Sequence, residues 1–262
     1  MLEACRLCGS DKLTLWMREG RNRDLDYFRC GRCGLWNYDL DSGMDQQQYV
    51  ETYVSPEDLR HKTNKAIRES WAFLRKHAGD PGSILDIGCG NGGLLYLARK
   101  DGWRVRGMEL TEKAARDIAD DQGIDVIVGD FLEYDNPDND MYNVVVLRHV
   151  LEHLPDPVLA MRKIDSLLKD NGLALLEFPN TRSLSYVSKR HRKNRGLQRE
   201  KYSPNWRPGH CNEFCRRTFQ YLLRETGFEL VIWQTYSNKP IMNAINRLIP
   251  IASKARALVR KR

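Results

Sequence analysis

ILDIGCGNGGLLYLARKDGWRVRGME, residues 84–109, is the stretch that decides the fold. Its opening Ile84-Leu85-Asp86-Ile87 has the length and branching of a buried parallel strand. Glycines follow at every second position, Gly88, Gly90 and Gly92, with Gly93 adjoining. A helix then opens with Leu94, Leu95, Leu97 and Ala98 on its inner face, and a second short strand from Arg104 to Met108 ends in Glu109. Glycines at a strand-to-helix turn allow positive φ and bring the backbone close to a ligand, with helix N–H groups pointing at it. An acidic side chain about 20 residues on, at the tip of the next strand, is placed to accept both hydroxyls of a ribose.

A dinucleotide fold wants G-x-G-x-x-G. Here the order is G-x-G-x-G, with Asp86 on the strand before it. This resembles the first motif, LD-h-G-C-G-x-G, of class I S-adenosylmethionine-dependent methyltransferases. Two later segments resemble the same family. Ile124 to Phe131 is a short strand closing on Asp130-Phe131, and the apolar run Tyr142 to Leu147 leads into Arg148-His149-Val150-Leu151-Glu152-His153-Leu154-Pro155-Asp156-Pro157, close to the family's "EH-x-x-D-P" loop. Asn143 departs from the family's usual Asp, and Gly172 to Asn180 reads as the fifth strand, closing on "PN". The resemblance covers about residues 56–236. It implies an α/β, doubly wound Rossmann-like sheet and S-adenosylmethionine as cofactor. It also implies that Asp86, Gly88, Cys89, Gly90, Gly92, Glu109, Leu110, Asp130, Phe131 and Arg148 bind that cofactor, Asp130 reaching the adenine amino group while Phe131 packs on the ring.

Four of the seven cysteines stand as Cys5-x2-Cys8 and Cys30-x2-Cys33, and Gly9 and Gly34 follow the second cysteine of each pair. That is the form of two zinc knuckles, in a module too small to fold on buried surface alone. Leu13, Leu15 and Met17 alternate like a strand, and Tyr27-Phe28-Arg29 and Leu35-Trp36-Asn37 flank the second knuckle as a hairpin. The pattern resembles a zinc ribbon and predicts a closed, structural Zn2+ site; paired disulfides are the competing reading. Cys89 reads as a small packing residue, and Cys211 and Cys215 as free thiols rather than a second metal site with His210.

The expected organisation is a zinc-ribbon module over 1–45, a linker and lid helix over 46–80, a methyltransferase core over 81–237 with an acceptor-site insertion at 181–210, and a basic amphipathic tail over 238–262. Ser55-Pro56-Glu57-Asp58 reads as the start of the lid helix, with Ile67, Trp71, Leu74 and Ala78 on one face and Gly79 as its stop. The N-terminus lacks the pattern of a signal peptide and no apolar run approaches a membrane span, so a cytoplasmic address is expected.

The net charge of +7 hides an asymmetry. From residue 181 onward 19 Lys and Arg face 4 Asp and Glu, whereas 23 face 31 before it. Such a surplus suggests an anionic partner: a phosphorylated substrate, nucleic acid or a membrane surface. Lys189, Arg190, Arg192, Lys193 and Arg195 are candidates to hold phosphates, and Tyr186, Tyr202 and Trp206 to stack a sugar or base, although the basic run also reads as an exposed loop. The tail reads equally as a peripheral membrane element at the inner face or as a helix docked on its own core or on a partner.

The sulfonium methyl of the expected cofactor is already activated, so catalysis leans on positioning, and an oxygen acceptor also needs a general base. His149 stands first, just past the fourth strand, where α/β sheets collect ligands. His153 would share a helical face with it, Glu152 could orient either ring, and His210 precedes the last helix. The sequence therefore predicts methyl transfer to a small-molecule or glycan-type acceptor, anionic and sugar- or lipid-linked. The alternatives are a ribosomal or transfer RNA methyltransferase with a zinc knuckle, and a non-catalytic zinc-ribbon scaffold.

Overall fold

The computed structural model describes residues 2–44, 64–197, 205–237 and 252–262. Three antiparallel strands come first, β1 (Leu13–Glu19), β2 (Leu25–Cys30) and β3 (Trp36–Tyr38). Helix α1 (Lys65–His77) follows, its N-cap Asn64 accepting the Ile67 N–H, with Ile67, Ser70, Trp71 and Leu74 buried on one face. This is the expected lid helix in its second half; its predicted start at Ser55 to Asp58 lies outside the described residues.

Strands and helices then alternate as β4 (Ser83–Ile87), α2 (Gly93–Lys100), β5 (Arg104–Glu109), α3 (Glu112–Gln122), β6 (Val126–Val128), β7 (Tyr142–Arg148), α4 (Pro157–Leu167) and β8 (Leu168–Pro179). Strand β4 is buried at every position, as a central strand covered on both faces must be. Helix α4 starts where local chemistry dictates: Asp156 caps the Val158 and Leu159 N–H groups and Pro157 supplies the first helical φ. The remaining elements are α5 (Leu184–Asn194), β9 (Asn212–Glu213), α6 (Arg216–Thr226), β10 (Glu229–Tyr236) and β11 (Lys254–Arg260).

The core is one seven-stranded sheet in the order β10-β11-β8-β7-β4-β5-β6, parallel from β8 to β6 and antiparallel at both faces of β11. The strand order reverses between β4 and β7, which puts a ligand crevice at their carboxyl ends.

Strand β11 corrects the expected tail. Residues 254–260 are no amphipathic helix but an interior strand, and the core therefore extends past 237. Ala, Arg, Leu and Lys favour helix locally; here the open backbone edges of β8 and β10 decide the outcome, because a buried edge must be paired. The rest of the predicted tail, 238–251, lies outside the described residues. Among the described residues no helix is long and apolar enough to cross a membrane. A second correction concerns the first module, which does not stand apart. Strand β9, from the far side of the core sequence, pairs with β3 to complete a four-stranded sheet in the order β1-β2-β3-β9. Arg6 then bonds the Tyr38 carbonyl at 2.8 Å, Asn212 Oδ1 at 3.3 Å and the Cys211 carbonyl.

Between these elements lies a buried charge cluster. Glu177 on β8 has no exposed surface. Its carboxylate accepts from Arg148 Nε on β7 at 3.0 Å, from Arg256 on β11, and from the Ser70 hydroxyl on α1 at 2.8 and 2.9 Å. Burial pushes the Glu177 carboxyl up, but the Arg148 and Arg256 guanidiniums outweigh it and hold it below the usual range. Replacing Glu177 with Ala leaves two guanidiniums buried without a counter-charge. Urea unfolding of Glu177→Ala should show a loss of about 3–5 kcal/mol, the usual effect of breaking a buried ion pair from one side; a loss below about 1 kcal/mol would show that the cluster is not structural.

Candidate active site and cysteine cluster

The glycine loop sits at the carboxyl end of β4. Gly88, Gly90 and Gly92 have φ of 68°, 57° and 69°, a region closed to most side chains. At Gly88 a Cβ would also stand 2.5 Å from Val150 Cγ2, so the loop can follow this path only with glycine there. Glu109, at the tip of β5, accepts the Gly90 N–H at 3.0 Å and the Leu110 N–H at 2.9 Å. A carboxylate has about four lone-pair sites, so Glu109 keeps capacity for a ligand hydroxyl. Burial raises the Glu109 carboxyl above its ordinary value, and the Gly90 N–H bond partly offsets that.

Asp86, under the loop, is 2% exposed and its Oδ1 has no hydrogen-bond partner among the described residues. Burial pushes its carboxyl up to about 7, with Arg148 pulling against that and Glu109 adding to it. A buried carboxylate short of one partner beside a glycine loop and a ribose-type acceptor fits a nucleoside ligand with a cationic group, as S-adenosylmethionine is. Cys89, expected in the cofactor set, turns its side chain into the core, where a Cβ on Gly107 would meet its Sγ at 2.8 Å; only its backbone belongs to the loop. Of the outer candidates, Asp130 Oδ1 accepts the Leu132 N–H at 2.7 Å, Phe131 is buried and Leu110 is exposed. Arg148 is committed to Glu177.

The three histidines separate into two arrangements. His149 has φ 58°, a strained position for a side-chain residue, and its Nδ1 lies 3.2 Å from Glu152 Oε1. Its own N–H donates to the Glu177 carbonyl at 2.7 Å, which fixes it at the carboxyl edge of β7. Residues Leu151–His153 form a single 3-10 turn, so His153 does not share a helical face with His149 as expected. His153 instead donates from Nδ1 to the Gly209 carbonyl at 2.7 Å and packs edge-on against His210, 4.8 Å between centroids. Glu213 Oε1 lies 3.2 Å from His210 Nδ1. Burial lowers the His153 imidazole; at His210 burial pulls down too, but Glu213 outweighs it and raises the ring. One ligand atom each from Glu152, His153 and His210 lies within 4.8 Å of the others.

In the first module Cys5, Cys8, Cys30 and Cys33 converge, with Sγ–Sγ distances of 3.5 Å for Cys5–Cys33 and for Cys8–Cys30. All seven cysteines are free thiols. Four thiolates about 2.3 Å from a tetrahedral ion stand about 3.75 Å apart, so these four sulfurs lie close enough together to share one metal ion. Leu35 N–H and Asn37 Nδ2 point at Cys33 and Cys5 sulfurs at 3.5 and 3.6 Å. A hydrogen bond from Cys33 holds the Cys5 thiol down at about 5 against burial.

The described part of the basic insertion begins with a helix rather than an exposed loop. Arg190, Arg192 and Lys193 lie on helix α5, and Lys193 is buried in an ion pair with Glu19 of β1, which withdraws it from phosphate binding. Tyr186 is buried with its hydroxyl on Glu213 at 3.1 Å, Trp206 packs in the aromatic cluster around Trp36, and Tyr202 lies outside the described residues. Sequence reading missed Glu177, Arg256 and Ser70. The signal was present: a Glu inside the apolar run Leu173 to Phe178 must find a cation or be neutral.

Asp86 gives a pH signature. Its folded pKa is raised, so its contribution favours the fold below the unfolded value of about 4 and fades as pH climbs to about 7. Against Asp86→Asn, wild-type stability measured in urea should therefore fall between about pH 4 and pH 8 by an amount on the order of 4 kcal/mol. A pH-independent difference would refute the buried, unpaired carboxylate.

Comparison with known proteins agrees with this geometry. The methyltransferase-domain family matches residues 59–232. The ubiquinone biosynthesis O-methyltransferase of Aeromonas salmonicida (strain A449) is 31% identical over 109 residues, 40% of this chain and 46% of that protein. That of Neisseria meningitidis serogroup C (strain 053442) is 28% identical over 126 residues, 44% and 52% of the two. The chain thus spans about half the length of the curated relatives it matches. Among solved structures, magnesium protoporphyrin IX methyltransferase from Synechocystis PCC 6803 with bound SAH superposes with a TM-score of 0.58 at 16% identity, covering 82% of this chain and 94% of that one. The 1,6-didemethyltoxoflavin-N1-methyltransferase of Burkholderia thailandensis, with S-adenosylhomocysteine, gives 0.57 at 20% identity over 82% and 86%. With its parallel sheet, glycine loop and acidic β5 tip, the chain belongs to the methyltransferase-domain family, in the S-adenosylmethionine-dependent class I fold.

Proposed function

We propose that this methyltransferase acts on a hydroxyl oxygen of a small acceptor, anionic and sugar- or lipid-linked, with His149 as general base and a structural zinc in the first module. The observation that carries the reading is the His149–Glu152 pair at the carboxyl edge of β7, beside the glycine loop. S-Adenosylmethionine supplies an activated methyl group; Asp86, the Gly88–Gly92 turn and Glu109 are the residues that would hold it. Glu152 is 1% exposed, and although burial pushes its carboxyl up, the His149 bond brings it below its usual value. An ionised, buried carboxylate orients the imidazole and stabilises the cation formed when the ring takes a hydroxyl proton. Support for oxygen as the acceptor atom comes from the relatives, whose name is that of an O-methyltransferase. Support for an anionic acceptor comes from the charge surplus after residue 181.

Incubation of cell extract with carbon-13 methyl-labelled cofactor, followed by mass spectrometry and NMR of the product, tests the acceptor; a shift typical of nitrogen- or carbon-bound methyl would overturn the oxygen assignment. With that product as the assay, His149→Ala should lower kcat by about 10²–10⁴ with cofactor affinity unchanged. Glu109→Ala should instead weaken cofactor binding by about 1–3 kcal/mol in calorimetry. An unchanged rate in the first variant, or unchanged affinity in the second, sinks the corresponding role.

The zinc proposal is supported by the four-cysteine spacing and makes a separate prediction. Elemental analysis of chelator-free protein should find one zinc per chain. Cys33→Ser should lose it and melt earlier, because Cys33 and Cys5 are packed in the main hydrophobic core and the site's binding energy is folding energy. Fully folded protein with no metal refutes it.

A further inference from the structure

We infer that the cleft between the cysteine module and the core is a phosphate site, built for a ligand carrying a phosphate or diphosphate group. The cleft encloses about 810 Å³ and is lined by Trp16, Arg29, Arg182, Arg190, Arg216 and Arg217. That is the size of a small-ligand pocket. Among the described residues none of its five arginines pairs with a carboxylate. Arg106, by contrast, meets Asp125 and Asp140, and Arg148 and Arg256 share Glu177.

Two of the cleft's guanidiniums are held in place by stacking on an aromatic ring. Arg29 stands 4.7 Å and Arg190 4.1 Å from the centroid of the Trp16 ring, both within cation–π range. They come from different elements, β2 and α5, so folding itself brings the two cations together. Burial and then Arg29 lower the Arg190 guanidinium from its usual value. Two like charges gathered on one ring repel, and an anion bound beside them lowers that cost. Arginine forks match phosphate oxygens two at a time, and stacking on an indole leaves their N–H edges available.

The start of helix α6 adds a second donor set to the lining. Arg216, Arg217 and Thr218 form the first turn of α6, and the N-cap Cys215 gives no side-chain cap to its N–H groups. The start of an eleven-residue helix favours an anion, and the first turn of this one carries two further arginines. Thr181 and Arg182, just past β8, complete the rim beside the carboxyl edge of the sheet. A phosphate held here would lie on the same edge as the glycine loop, so the cleft suits the anionic end of an acceptor. That last link rests on the proposed function; the binding itself does not.

Calorimetry of the full, metal-loaded chain with inorganic pyrophosphate tests the site. One pyrophosphate should bind per chain, more weakly as salt rises. Arg190→Ala combined with Arg216→Ala should weaken it by at least about tenfold, with S-adenosylmethionine affinity and thermal midpoint unchanged. Arg190→Lys should recover only part of the loss, since an ammonium keeps charge but not the fork. Sedimentation with phosphatidylglycerol vesicles distinguishes the source of the phosphate: vesicle binding competed by pyrophosphate and lost in the double variant assigns it to a lipid headgroup, whereas pyrophosphate binding without vesicle binding assigns it to a soluble ligand. No pyrophosphate binding, binding that the double variant leaves unaltered, or tighter length-dependent RNA binding that pyrophosphate does not displace would each overturn the inference. None of these would touch methyl transfer, which the labelled-cofactor assay reads separately.

Discussion

A single carboxylate in the middle of the sheet sets the terms for its surroundings. Glu177 is wholly buried and ionised only because Arg148 and Arg256 reach it from the strands beside it and Ser70 from the helix above. Such a cluster contributes little net stability against an apolar alternative, but it admits few arrangements of its members. Each partner arrives on a different element, so α1, β7, β8 and β11 have one mutual register in which all the charges are met. The same cluster reaches the active site: Arg148 lies close enough to Asp86 to pull its carboxyl down, and the Glu177 backbone carbonyl takes the His149 N–H.

The cysteine module is joined to this frame rather than tethered to it. Strand β9 belongs to its sheet, yet β9 immediately follows His210 and Cys211 in the chain. Arg6 ties the first knuckle to the Cys211 carbonyl and Asn212, while Asn212 Nδ2 donates to the Leu154 carbonyl at 2.7 Å. The Cys211 N–H donates to the Glu152 carbonyl at 2.9 Å. Hydrogen bonds thus join the first knuckle to the segment after His210, and that segment to the Glu152 backbone.

What was legible in the sequence was local. The strand, glycine loop, helix and Glu109 occupy one continuous stretch, so spacing alone places them. The two cysteine pairs were legible for the same reason. What was hidden is what the topology assembles. Glu177 finds Arg256 across 79 residues and Ser70 across 107, distances at which no periodicity speaks. His149, His153 and His210 could be named singly, but their division into a carboxylate-oriented ring and a stacked pair depends on a 3-10 turn too short to leave a pattern. Residues 254–260 misled because their helix-forming composition is overruled by two neighbouring strands.

Strand β11 also governs the order in which this chain can mature. β8 and β10 face each other across a gap one strand wide, and the strand that fills it comes after both in the chain. A nascent polypeptide that has released β10 but not residues 254–260 carries two parallel-running edges with unmet N–H and C=O groups. Arg148 and Glu177 at that stage pair without Arg256, the second guanidinium on that carboxylate. The half-sheet is thus a state exposed to mispairing during synthesis, and insertion of β11 is at once the closure of the sheet and the completion of its buried charge cluster.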